Sequence, residues 1–303
     1  MDILIAKYSS VCYNIGTTCK DAAFAVDKGR KSVTVEWNMK QAILSCLPGD
    51  HPWLDRIYCY ETLESTNSLA KTLGAEEFPN GTVLITASQT GGRGRLGRSF
   101  HSPAGQGVYL SVILRPNCPF EKLMHLTCGA AVAACNAVEK ASGLRPRIKW
   151  TNDLVVDGKK LGGILTELVT DPVTQNVTAA VIGIGINCTQ ATSDFPSELR
   201  DMATSLSLAC GAAVTPALLA ARLIQALEEL DRSLWDRESL MARYRADCMT
   251  VGRSVVLLRA DTRRYGTALD VDEDGCLVVR FEDGSIEHVG SGEISVRGMY
   301  GYI

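Results

Sequence analysis

The sequence predicts an α+β chain, in which helices and strands share a long central body and a small β-barrel closes the C-terminus. Three observations carry this. Strand-length apolar runs alternate with helix-period stretches between Ser65 and Trp235. Within that body, Asp157-Gly158 separates two apolar runs, a hairpin signal that makes the flanking strands antiparallel neighbours. Beyond Val251 no helix period remains, and short alternating strands are punctuated by Asp274-Gly275 and Asp283-Gly284.

Taken in order, residues 1–38 carry mixed charges without sustained periodicity and are read as an N-terminal extension of unclear role, Met39 being the true start. A short helical run, Met39 to Cys46, stops at Pro48-Gly49. Ser65-Thr66-Asn67 places capping hydroxyl and amide groups directly before Leu69, Ala70 and Leu73, so a helix begins there. Thr82–Ala87 and Val108–Leu114 are strand-like, and Ser99 to Gly107 between them is a loop. Phe120 to Ser142 reads as one long helix whose small residues, Gly129 to Ala134, permit close packing. Arg147–Trp150, Leu154–Val156, Leu161–Leu168 and Thr178–Ile186 are expected strands, and Thr215–Trp235 an amphipathic helix. The final unit comprises Ser254–Leu258, Gly266–Val271, Cys276–Phe281 and Ile286–Val289.

Composition narrows the class. The 303 residues are 46% hydrophobic and 21% charged, enough for a large core and more than one domain. A net charge of −3 and a pI near 5.9 argue against a general nucleic-acid binder, which would show a basic excess. Eleven cysteines form no CxxC pair and no zinc-spaced set, and their odd number cannot all pair internally. They read as free thiols of a reducing cytoplasm. No apolar run reaches the roughly 18 residues of a membrane span, and the N-terminus lacks the apolar core of a signal peptide.

The segment Gln89-Thr-Gly-Gly-Arg-Gly-Arg-Leu-Gly-Arg98 is the most informative in the chain. Its glycines allow close backbone approach, while Arg93, Arg95 and Arg98 crowd positive charge onto one loop that calls for an anion. Gly92, Gly94 and Gly97 satisfy GxGxxG, yet a loop and a strand follow where a dinucleotide fold needs a helix. The charge here sits on side chains instead of a helix terminus. Other candidates are individually ambiguous. Ser65 and Thr66 either cap a helix or meet a ligand, and Lys149-Trp150-Thr151-Asn152-Asp153 is either a solvated turn or a functional loop. Lys159-Lys160 is a soluble hairpin tip, or a lysine entering the apolar strand Leu161-Gly162-Gly163-Ile164-Leu165 partly buried. In Gly183-Ile184-Gly185-Ile186-Asn187 the glycines either pack or open one strand face to a flat group.

Together these motifs, in this order, resemble the biotin protein ligases. The resemblance covers Met39 to about Asp247 and implies a mixed β-sheet flanked by helices, of the class II aminoacyl-tRNA synthetase and biotin ligase kind, over 39–249, with an SH3-like C-terminal domain over 250–303. It places Ser65, Thr66, Gln89, Gly92 and Arg93 at biotin-binding positions and Lys160 at the family's essential lysine, which also meets biotin. Arg95 and Arg98 fall in the loop that closes over the adenylate, Phe100 where some members set an aromatic against adenine, and Asn152 and Asn187 among the adenylate contacts. The family's Trp-Pro-Asn-Asp motif is Trp150-Thr151-Asn152-Asp153 here, a change that loosens φ but removes no reacting group.

The resemblance implies two steps. Biotin's carboxylate attacks the α-phosphate of ATP, giving biotinyl-5′-adenylate and pyrophosphate; a lysine of a biotin carboxyl carrier domain then attacks the anhydride and releases AMP. Arg93, Arg95, Lys160 and Mg²⁺ suit the charge neutralisation that two anionic reactants require. No residue is read as a metal ligand. Asp153 is the carboxylate placed either to take the carrier lysine's proton or to orient it. A lipoate-type ligase is the first alternative, but that family shows a His-Asp after its loop where this chain has His101-Ser102. The second is a ligase that also represses transcription, and the segment before Tyr60 lacks a readable pair of helices for it, which argues against DNA as a partner. Monomer and homodimer both remain open.

Overall fold

The computed structural model describes residues 33–76, 78–211, 214–259, 262–290 and 295–297. Its centre is a seven-stranded sheet. In chain order the strands are β1 (Ile57–Leu63), β2 (Thr82–Gln89), β3 (Gly107–Leu114), β4 (Arg147–Lys149), β5 (Asp153–Val156), β6 (Lys159–Thr170) and β7 (Val177–Asn187), and across the sheet they run β1-β2-β3-β7-β6-β5-β4. Only β1 and β2 are parallel, so the sheet is mixed, as expected. The β5–β6 hairpin turns at Asp157 and Gly158 with φ of 47° and 76°, the left-handed pair that an Asp-Gly turn supplies.

Alternation along β3 and β7 divides the core in two. Val108, Leu110, Val112 and Leu114, with Ala180, Ile182, Ile184 and Ile186, face helices α1 (Val33–Leu44), α3 (Leu126–Ser142) and α5 (Pro216–Ser233) in one large cluster. The opposite face is covered at one end by α2 (Thr66–Ala75), where Ala70 and Leu73 meet Leu84, Ile113, Ala179 and Val181. Further along that face β7 carries Gly183 and Gly185. The sheet therefore has one closed face and one half-covered face, and the uncovered half is floored by glycine.

Most expected elements form, with informative differences. Ser65 caps α2 through its hydroxyl, which accepts from the Ser68 N–H, and Thr215 caps α5 likewise. The helix expected over Phe120–Ser142 is instead a 3₁₀ turn, Phe120–Leu123, followed by α3 from Leu126. At the break, His125 places its ring against the Leu234 carbonyl, Nε2 to oxygen 2.8 Å, which fixes this corner to the end of α5. Gly129 serves packing as expected, since a Cβ there would lie 2.8 Å from Leu230 Cδ1. Helix α1 is described from Val33 and passes through Met39, so Met39 opens no element; residues 1–32 lie outside the described residues. Unanticipated elements are β1, the short helix α4 (Leu206–Cys210) and α6 (Arg237–Asp247).

The C-terminal unit is a five-stranded antiparallel sheet of the SH3-like kind, with β8 (Ser254–Arg259), β9 (Thr262–Val271), β10 (Leu277–Phe281), β11 (Ile286–Val289) and β12 (Ser295–Arg297) in the order β11-β10-β9-β8-β12. Four strands were expected, and the fifth, β12, is only three residues long. Directed contacts tie this unit to the body. Buried Trp150 donates its indole N–H to the Gly275 carbonyl at 2.9 Å, and Arg245 donates to the Val271 carbonyl and pairs with Glu273. Replacing Trp150 with Phe keeps the ring volume in large part but strands the Gly275 carbonyl. The expected loss is about 1–2 kcal/mol in urea unfolding monitored by circular dichroism, larger than for Phe120→Leu on the surface.

Candidate active site

The uncovered half of the sheet face forms a cavity of about 350 Å³. Its floor is the glycine strip: Gly163 and Gly185 are cross-strand partners on β6 and β7, and Gly183 pairs with Leu165. A Cβ on Gly185 would sit 2.6 Å from Phe100 Cε1, and one on Gly183 2.0 Å from Asn67 Oδ1. Here the glycines are needed for close approach and not for φ. The Phe100 ring lies over Gly185 and meets Tyr109 edge-on, centroids 6.4 Å apart.

One end of the cavity is a dense set of uncharged hydrogen-bonding groups. The Thr66 N–H, at the start of α2, donates to Gln89 Oε1 at 2.9 Å, and Gln89 Nε2 donates to Ser102 Oγ at 3.1 Å. Gly92 does not itself line the cavity; it supports this end, because a Cβ there would fall 2.6 Å from the Phe100 carbonyl and 3.0 Å from Gln89 Nε2. The other end is cationic. Arg93, Arg95, Arg98, Lys149 and Lys160 line the cavity against one carboxylate, Asp153. Lys160 Nζ lies 2.7 Å from Asp153 Oδ1 with both side chains part-buried, as expected for a lysine entering an apolar strand. The Lys160 backbone is pinned by its N–H donating to the Met202 carbonyl (2.7 Å) and its carbonyl accepting from the Thr204 N–H (2.9 Å).

The arginine loop folds on itself, the Gly94 N–H donating to the Arg98 carbonyl at 2.7 Å around a 3₁₀ turn that ends at Gly97 with φ of 73°. Arg95 reaches inward to Asn152 Oδ1 at 3.1 Å. Burial pulls its guanidinium below its ordinary pKa, and the nearby Asp153 carboxylate works against that. Arg93 instead faces outward, 3.8 Å from exposed Glu64, a surface pairing too weak to hold it. Asn187 lines the cavity with its amide engaged, donating to the Thr204 carbonyl at 2.9 Å and accepting from Gln190 at 3.2 Å.

Eleven of the twelve residues singled out from sequence thus meet in one cavity, Gly92 lying just behind it. Sequence reasoning missed the wall formed by Phe195, Leu199, Met202 and Ala203. That segment consists of short turns without periodicity, and its only signal is apolar residues in an otherwise polar loop.

Comparisons with known proteins identify relatives of this chain. The model of the biotin/lipoate A/B protein ligase family matches residues 59–187, and that of the biotin protein ligase C terminal domain matches residues 250–297. The bifunctional ligase/repressor BirA of Bacillus subtilis is 36% identical over 239 residues, which span 78% of this chain and 73% of that protein. The chain belongs to the biotin protein ligase family. A second relative, the biotin--[acetyl-CoA-carboxylase] ligase of Mycobacterium tuberculosis, is 35% identical over 223 residues, 70% of this ligase and 79% of its relative. Among solved structures, the biotin protein ligase of Aquifex aeolicus in complex with biotin and ATP superposes with a TM-score of 0.68 at 27% identity, covering 80% of this ligase and 98% of that chain.

The glycine floor supplies a test of the geometry. Gly185→Ala should destabilise the ligase by about 1–3 kcal/mol, since the added methyl meets the Phe100 ring. In a Phe100→Ala background the same change should cost less than about 0.5 kcal/mol. Urea unfolding of the four proteins gives the coupling.

Proposed function

We propose that this ligase attaches biotin to a lysine of a biotin carboxyl carrier domain through biotinyl-5′-adenylate, within the cavity between α2 and the Gln89–Arg98 loop. The observation that carries the reading is the polarity of that cavity: an uncharged hydrogen-bonding end at Thr66 and Gln89, and a cationic end at Arg95 and Lys160. Biotin has a neutral ring urea at one end and a carboxylate at the other, and ATP brings phosphate charge to meet that carboxylate. Ser65, Thr66, Gln89, Gly92 and Arg93 are assigned to biotin. Arg95, Arg98, Phe100, Asn152 and Asn187 are assigned to the adenylate, with the Phe100 ring over Gly185 presenting a face to adenine.

In the first step the biotin carboxylate oxygen attacks the α-phosphorus and pyrophosphate departs. Lys160 is assigned to stabilise the charge that gathers between the two anions, and its position is set by Asp153 and by the backbone bonds to Met202 and Thr204. Arg95, held toward the cavity by Asn152, adds to that field. The one carboxylate among the described residues lining the cavity, Asp153, is engaged by Lys160 among five cationic side chains and does not fit a resident Mg²⁺ site; Mg²⁺ would arrive on the ATP phosphates and neutralise charge there. In the second step the carrier lysine, having lost a proton, attacks the anhydride carbonyl and AMP leaves. Asp153 is placed to accept that proton or to orient the amine. No protein nucleophile is required.

Exchange of labelled pyrophosphate into ATP should require biotin and should not occur with lipoate or without either. Exchange driven equally by lipoate would overturn the substrate assignment. In the same assay Lys160→Ala should lose at least about a hundredfold in rate, whereas exposed Lys159→Ala should stay within about twofold.

The loop gives a second expectation. Arg93 and Arg98 are exposed trypsin sites, and their charge repels until an anion is bound. Cleavage there should slow markedly with biotin plus ATP, and Arg95→Gly should remove that protection while letting adenylate escape to label unrelated lysines. Equal cleavage with and without ligands would show that the loop is no lid.

A further inference from the structure

A second cavity, of about 490 Å³, lies among the helices of the closed sheet face, between the end of α3, the outer side of α5 and the loop that follows α1. Three cations and two carboxylates line it, and two of the cations are matched. Arg232 Nε lies 2.9 Å from Glu228 Oε1, and Lys140 Nζ lies 3.2 Å from Glu229 Oε1. Arg222 is the third, and among the described residues no carboxylate pairs with it.

The half-buried Arg222 has one partner, Gln225, whose Oε1 accepts from Nη1 at 2.9 Å. With its oxygen so used, Gln225 has only its amide N–H groups left to offer. The Arg222 Nε–H is buried and has no acceptor. What stays unmet is the Nε–Nη2 edge of the guanidinium, whose two parallel N–H bonds match the two oxygens of a carboxylate. A second unmet donor comes from the loop after α1. His51 is 8% exposed, and its Nδ1 accepts the Trp53 N–H at 3.2 Å, a group that can only donate. Burial pulls the ring below its ordinary pKa and favours its neutral form, so its proton sits on Nε2. That nitrogen is also buried without an acceptor. Two unpaired buried donors on one cavity, beside an unmatched cation, describe a site that lacks an acceptor.

We propose that this cavity is a second ligand site, which takes a small carboxylate anchored by Arg222, with Gln225 and His51 as further donors. One leftover cation calls for one negative charge, and a planar carboxylate meets the guanidinium edge on both oxygens while bringing acceptors alone. Gln225 is the single tie on that guanidinium, so release of Nη1 is enough to turn the open edge toward the incoming oxygens. None of these residues lines the candidate active cavity, and occupancy here is measurable apart from biotin binding.

Ring-nitrogen NMR of the full-length protein reads the site directly, because the chain has four histidines in four places. His51 lines this cavity, His101 the candidate active cavity, His125 holds the corner at Leu234, and His288 lies on β11. His51→Gln identifies the His51 signals. The probe is sodium acetate, titrated at fixed pH with sodium chloride keeping the ionic strength constant, and inorganic phosphate forms a second arm. The His51 Nε2 signal should shift saturably with acetate while those of His125 and His288 stay in place. Arg222→Gln should weaken that response at least about tenfold, and Arg222→Lys, which keeps the charge but loses the parallel edge, should weaken it at least about threefold. In both variants His125 and His288 should keep their wild-type signals, which separates loss of the anchor from loss of the fold. A His51 signal that does not saturate with acetate, an equal shift with chloride alone, or an unchanged response in Arg222→Gln would each overturn the proposal. Saturation by phosphate and not by acetate would reject the carboxylate class.

Discussion

Everything at the site depends on one half of a sheet face being floored by glycines of β6 and β7. On β7 the face that α2 covers carries Ala179 and Val181, and the next two positions facing the same way are Gly183 and Gly185. Add a methyl at either and it collides with the Asn67 amide or the Phe100 ring. The opposite face of the same strand, Ala180, Ile182, Ile184 and Ile186, packs into the large core cluster with α3 and α5. One strand thus anchors the largest core of the protein and floors its cavity, and the rigidity of the first serves the second.

Around that floor, charge is distributed by element. α2 and the end of β2 contribute neutral groups, while the loop after β2 and the β5–β6 hairpin contribute cations. The hairpin matters because Asp153 opens one strand and Lys160 lies just past the start of the other, so a tight Asp-Gly turn fixes their 2.7 Å contact. A lysine carried on a strand and held on both backbone sides moves less than one on a loop. The arginine loop is tied at its base, where the Thr90 and Gly91 N–H groups donate to the Leu63 and Glu64 carbonyls, while its tip from Gly94 to Arg98 folds on itself with an inward bond from Arg95. On the proposed reading, a lysine held on a strand and a loop tied at its base would divide the work of meeting the two anions.

Much of this was legible in the sequence because it is written in local chemistry. Ser65 as a cap, Asp157-Gly158 as a turn and Gly183/Gly185 as an open strand face each follow from a short stretch of residues. What stayed hidden depended on partners far along the chain. The break at Met124-His125 is set by a contact with Leu234, and the cavity wall from Phe195 to Ala203 has no period of its own. β12 is three residues long and gains its identity only by pairing with β8. Arg93 and Asn187 were legible as cavity residues but not in their present engagements, with Glu64 and with Thr204 and Gln190.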